Sequence, residues 1–275
     1  MLEAVFNEQN LDMSKNPNIS EPAILMVGAS YADARTPFND DMQAPLGGVS
    51  VANGSFLSLG NALIRNRKLP GYVINEAQAG ATTFDRRDCN PGPECGPAAW
   101  QGYDKQFTKA LTYATVINPE KPEQVKYNAD YVVIVRANDC MHSGAFDMPQ
   151  NEAKPCSLSE VNQYIERLLD VGRRALKLGI TPIYDIFPGW KNLDIDKPGF
   201  GLLWRIDKKS YKKMARLHKN RIKDEMPEAI LLDMWKGFVP LPDGLHPNYQ
   251  TVERAANRIA KAIIKDRAKK LRLKS

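Results

Sequence analysis

Five short apolar runs are spaced widely along the chain, at residues 23–28, 72–75, 131–135, 181–186 and 230–234. Each run is continuous rather than alternating, the pattern of a strand covered on both faces. The segments between them repeat at three to four residues. Ser157 and Glu160 have the spacing of a capping box, and Val161, Ile165, Leu168, Gly172 and Leu176 follow at helical steps until Gly179. Near the end of the chain Val252, Ala256, Ile259 and Ile263 form one apolar stripe, with Arg254, Arg258, Lys261 and Lys265 largely off it. Weaker helical patterns cover residues 56–65, 103–116 and 207–224. Strands alternating with helices predict an α/β fold: a parallel sheet between two helical layers, three layers in all.

The pattern predicts one domain over residues 23–275, preceded by a polar arm at 1–22. At 275 residues and 43% hydrophobic content the chain can bury a large core. Three connections, residues 81–102, 140–156 and 188–203, are long, rich in Pro, Gly and aromatic residues, and each follows a strand. Ligands of open parallel sheets bind beyond the carboxyl ends of the strands, so these connections are expected to roof a site.

Nothing approaches eighteen uncharged apolar residues in a row, so no transmembrane segment is expected. Residues 1–21 hold acids at Glu3, Glu8 and Asp12 and lack the apolar centre of an export signal. The chain is therefore read either as one that stays inside the cell or as a mature exported chain. The four cysteines fall into two sequence-local couples, Cys89 with Cys95 and Cys140 with Cys156. Paired as disulfides they would fasten loops and point to the periplasm or the exterior; as free thiols they would suit the cytoplasm. A zinc site at Cys140-Met141-His142 lacks the close Cys-x-x-Cys couple, so no metal is expected.

The net charge of +6 conceals an asymmetry. Residues 205–223 carry +8, residues 251–275 carry +7, and the remainder −9. The plain reading of the two basic segments is the solvated faces of amphipathic helices; the functional one is contact with an anionic surface. No nucleic-acid-binding motif accompanies them, so nucleic acid is not expected as a partner.

The candidate chemistry lies in four short blocks. Ser30 follows the first apolar run in Gly28-Ala29-Ser30-Tyr31; Gly80 closes Asn75-Glu76-Ala77-Gln78-Ala79-Gly80; Asn138 lies in Arg136-Ala137-Asn138-Asp139; Asp243 and His246 share Asp243-Gly244-Leu245-His246-Pro247. A serine hydroxyl becomes a useful nucleophile when an imidazole takes its proton, and a carboxylate holds that imidazole in the correct tautomer. Asp243 and His246, three residues apart, let one loop carry both.

These blocks, in this order, resemble the SGNH (GDSL-like) family of serine hydrolases, and the resemblance spans most of the chain. It implies a flavodoxin-like five-stranded parallel sheet and a serine esterase with Ser30, Asp243 and His246 as triad. It also implies an oxyanion hole built from the Ser30 and Gly80 amides and the Asn138 side chain. Two positions depart from the family pattern: Gly-Asp-Ser-Leu is replaced by Gly28-Ala29-Ser30-Tyr31, and the leading Gly of the third block is Arg136. Arg136, Tyr31 and Trp190 are read as substrate contacts, with Arg35, Arg86 and Arg87 on nearby loops and Trp100 and Trp204 in or beside the roof connections. His142 and His218 are read as surface residues.

The expected substrate is a small-molecule, glycan or lipid ester. A serine esterase leads, deacylation of carbohydrate being one activity it would include, with lysophospholipase or thioesterase activity and an inactive binding module as alternatives. No Gly-x-Ser-x-Gly elbow, His-Glu-x-x-His motif, phosphate loop or dinucleotide fingerprint is present, so no cofactor is expected.

Overall fold

The structure is a computed structural model that describes residues 21–33, 58–69, 71–78, 80–85, 101–117, 125–141, 154–194, 206–241 and 244–273. In chain order its elements are β1 (Ala23–Val27), α1 (Leu59–Ile64), β2 (Val73–Asn75), α2 (Tyr103–Tyr113), β3 (Thr115–Ile117), β4 (Val125–Tyr127), β5 (Ala129–Ile134), α3 (Leu158–Lys177), β6 (Thr181–Asp185), α4 (Lys208–Glu225), β7 (Ile230–Leu232) and α5 (Tyr249–Arg272). The expected arm lies outside the described residues except for Glu21 and Pro22.

Five strands form one parallel sheet in the order β2-β1-β5-β6-β7. This is the flavodoxin-like order, and all five strands fall on the apolar runs. All five residues of β1 are buried, as are five of the six in β5, which explains why these runs do not alternate. The chain steps from β1 to β2, then returns past β1 to β5. Right-handed crossovers therefore put α1 and α5 on one face, where they pack together, and α2, α3 and α4 in a row on the other.

Capping sets where the helices begin. The Ser157 side chain accepts from the Glu160 amide while Glu160 reaches back to the Ser157 amide, and Asp207 and Ser210 make the same exchange at the start of α4. One expectation is corrected: helix does not persist to Val116. It stops at Tyr113, and residues 115–117 pair antiparallel with 125–127 in a separate two-stranded ribbon.

Gly60 fixes how closely α1 approaches the sheet. A Cβ there would lie 2.0 Å from Asn75 Nδ2 and 2.4 Å from the Ala32 carbonyl oxygen. The same Asn75 amide donates to Ala32 O at 2.6 Å, so α1, the end of β2 and the turn after β1 form one packed unit.

Candidate active site

Beyond β1 the chain turns sharply. The Ala32 and Asp33 amides both donate to Ala29 O, at 2.9 and 3.0 Å, and the Gly28 amide donates to Gln106 Oε1 of α2 at 2.9 Å. Ser30, half-buried, stands in this turn beyond the carboxyl end of β1, an interior strand of the sheet.

His246 arrives from the opposite end of the sequence, on a segment after β7 that is not part of the sheet. Leu241 N donates to His246 O at 2.7 Å, Asn248 N to Val239 O at 2.9 Å, and Asp194 N to Gly244 O at 2.8 Å. Gly244 has φ +74°, and a Cβ on it would lie 2.1 Å from Asp194 O, so both the backbone region and the space call for glycine. The buried His246 ring presents Nε2 2.8 Å from Ser30 Oγ, across 216 positions of sequence. With Nε2 as acceptor the ring proton resides on Nδ1, the arrangement a carboxylate would stabilise. Asp243 lies outside the described residues.

Two further segments adjoin the serine turn. Gln78 N donates to Gly28 O at 3.1 Å, which sets the stretch leading to Gly80 beside that turn; Gly80 has φ +80°. Asn138 N donates to Ala81 O at 3.3 Å, and Thr83 donates to Asp139 twice, from its amide at 2.8 Å and from its hydroxyl. The segments bearing Gly80 and Asn138 are thereby joined to each other. Burial pushes the Asp139 carboxyl up to about 6, against the lowering effect of the Thr83 bonds and Arg167. A disulfide between Cys140 and Cys156, with Cα atoms 5.6 Å apart, fastens the Asn138 turn to the start of α3.

Arg136 and Tyr31 are both buried, and they touch each other. The guanidinium carbon lies 4.2 Å from the Tyr31 ring centroid and 5.3 Å from that of Phe187, and Nη1 donates to the Tyr211 hydroxyl at 3.4 Å. Burial lowers the Arg136 pKa, but Tyr31, Tyr211 and Asp185 raise it to a net upward shift, so the group is a permanent cation. Trp190, half-buried, packs on Tyr211 with ring centroids 5.4 Å apart.

His218 is not at the surface. It is 1% exposed, with Nε2 3.0 Å from Asp185 O and its ring 4.8 Å from that of Phe187. Burial lowers its pKa and keeps it neutral, against the opposing pull of Asp185. The sequence misleads here because α4 is so basic that its one inward-facing histidine reads as part of the polar face. Asp185, Trp235, Gln106 and Thr83 also support the site and were not anticipated. A lone acid inside an apolar run, as Asp185 is, was the available signal for the first.

Cys89, Cys95, His142, Arg35, Arg86, Arg87, Trp100 and Trp204 lie outside the described residues. Among the described residues no cluster of His, Cys, Asp and Glu could hold a metal, and no helix is long and apolar enough to cross a membrane.

No family model and no curated protein matches the chain in sequence. Solved structures do match it in shape. One is Est24, a carbohydrate acetylesterase from Sinorhizobium meliloti, with a TM-score of 0.50 at 16% identity over 89% of this chain and 99% of that one. Another is a carbohydrate acetylesterase family member from the same organism, with a TM-score of 0.51 at 16% identity over 88% of this chain and 97% of that one. The chain has their fold. At this identity the likeness is one of architecture, and the case for chemistry rests on the residues themselves.

Proposed function

We propose that this protein is an SGNH-type serine esterase that deacylates carbohydrate esters through an acyl-enzyme on Ser30. The observation that carries this reading is the 2.8 Å approach of His246 Nε2 to Ser30 Oγ, made between two of the four blocks that suggested the family. In the first half-reaction Ser30 Oγ attacks the ester carbonyl and its proton passes to His246 Nε2. The tetrahedral intermediate collapses, and the alcohol leaves carrying that proton. In the second half-reaction water attacks the acyl-serine, His246 takes the water proton, and the carboxylic acid departs as Ser30 recovers its hydrogen. Asp243 is assigned the role of holding the ring on its Nδ1 side. The oxyanion is assigned to the Ser30 and Gly80 amides and the Asn138 side chain, each such donor contributing on the order of 10²–10³ in turnover. Trp190 is assigned to the substrate wall.

The test is turnover of short p-nitrophenyl esters and acetylated sugars. Ser30→Ala and His246→Ala are each expected to reduce kcat by about 10⁴–10⁶ without unfolding the chain. Ser30 is expected to be the residue labelled by a fluorophosphonate, and a wild-type protein neither labelled nor active would leave only the binding-module reading.

A second reading, action on lipid esters at an anionic surface, has its own support. Lys208, Lys209, Lys212, Lys213, Arg216, Lys219 and Lys223 are exposed, and none has an ion pair among the described residues. At 100° per residue they span about 140° of arc over about 23 Å of α4. The last turns of α5 expose Leu271 and Leu273 beside Lys269, Lys270 and Arg272. Preference for long-chain over acetyl esters, with salt-sensitive binding to anionic vesicles, would favour this reading. The Cys140–Cys156 bridge supports maturation in an oxidising compartment, the periplasm or the exterior. Four alkylatable thiols in the native-source protein would remove that support.

A further inference from the structure

Arg136 stands where the resemblance leads one to expect glycine, and burying a guanidinium there is costly. It is 5% exposed, and among the described residues its Nη2 has no hydrogen-bond partner and its nearest ring face belongs to Tyr31. A residue serving only to fill space would be better apolar. Asp185, fully buried, accepts from the Arg136 amide at 3.1 Å and from Trp235 Nε1 at 2.9 Å. Trp235 in turn meets the Tyr31 ring edge-on at 5.3 Å, and Phe238 stacks on it at 6.1 Å. The Tyr31 ring is thus held by a cation, an indole and a phenyl ring.

Its hydroxyl donates to the Leu245 carbonyl, 214 positions away. Tyr31 follows Ser30 and Leu245 precedes His246. The phenol therefore spans the same gap as the Ser30–His246 hydrogen bond, one residue removed on each side. A shift of the Leu245 carbonyl moves the imidazole with it.

We propose that Arg136 is a positioning residue whose guanidinium, seated on the Tyr31 ring, holds the Tyr31 hydroxyl against the Leu245 carbonyl and so fixes His246 at Ser30. This rests on reading Ser30 and His246 as nucleophile and base. Arg136 acts through Tyr31 and the base segment, and it transfers no proton and binds no substrate group in this role. Misplacing a reacting group by about 1 Å costs on the order of 10²-fold, so partial loosening is expected to fall below that ceiling.

The experiment measures kcat and KM for a short p-nitrophenyl ester, per serine titrated with a fluorophosphonate, in wild type, Tyr31→Phe, Arg136→Met, Arg136→Lys and the Tyr31→Phe/Arg136→Met double variant. Tyr31→Phe, which deletes one oxygen, is expected to lower kcat about tenfold with KM little changed. Arg136→Met is expected to do the same, and Arg136→Lys to recover part of the loss by returning a cation to the ring. The double variant is expected to be no worse than the poorer single, because both act through one contact. A Tyr31→Phe enzyme with wild-type kcat per titrated site overturns the proposal, even if Arg136→Met fails to fold. A double variant whose losses multiply also overturns it. Failure of the esterase reading looks different: wild type itself is then neither labelled nor active, and both ideas fall together.

Discussion

The two halves of the candidate site are held by different means. Ser30 and the Asn138 turn issue from β1 and β5, neighbouring interior strands of the sheet, and the segments around them are tied to β2, α2 and α3 by Asn75, Gln106 and the Cys140–Cys156 bridge. His246 hangs on a segment outside the sheet, kept in place by a handful of backbone hydrogen bonds, the Pro240–Pro247 bridge and the Tyr31 hydroxyl. The first half is built into the sheet and its flanking helices, whereas the second is a connection laid against them, packed through Phe238 and Leu245. Damage to the first is therefore expected to appear as lost stability, and damage to the second as lost turnover.

Gly60→Ala probes the sheet half most severely. A methyl group facing the Ala32 carbonyl at 2.4 Å forces α1 off the serine turn, and overpacking of this kind costs about 3 kcal/mol, read as a lowered denaturation midpoint. Asp139 gives the same half a pH signature. Its folded pKa of about 6 lies above the ordinary carboxylate value of 3.8. The folded state therefore holds this proton more tightly, and the group's contribution to stability, full below about pH 4, is lost as pH rises through about 6. The difference in unfolding free energy between wild type and Asp139→Asn is expected to move by about 3 kcal/mol over that window, the variant gaining relative to wild type as pH rises. Parallel profiles would show that Asp139 does not titrate there. Gly244→Ala tests the base half. Its positive φ costs a β-carbon about 1–2 kcal/mol, and the Asp194 carbonyl leaves no room for it. The segment is expected to shift to relieve the clash, lowering kcat about tenfold with a smaller loss of thermal midpoint than Gly60→Ala shows. A Gly244→Ala protein that loses its midpoint and keeps its turnover would erase the distinction between the halves.

The sheet half was the more legible in sequence, for the reason that makes it stable. Strands buried on both faces leave continuous apolar runs, and β1, β5 and β6 show them plainly. The β3–β4 ribbon left no such mark: Val116 and Val125 are about half exposed, and three-residue strands are too short to show a period. Ser30, Asn138 and His246 could be named because their blocks keep a recognisable order. The Arg136–Tyr31–Leu245 linkage could not, because it joins residues 105 and 214 positions apart through a ring face and a carbonyl, and neither leaves a local pattern. His218 was misread on the same ground, its burial being decided by β6 and α3 rather than by its neighbours in α4.

The central place of β1 has one more consequence. Paired on both edges and covered on both faces, its amides reach solvent only when the whole molecule opens, so they are expected to be among the slowest to exchange with deuterium. The Ser30 hydroxyl proposed as nucleophile is thus mounted at the end of a segment expected to be among the last to come apart, and during slow heating its labelling competence is expected to be set by release of the His246 segment well before its own strand lets go.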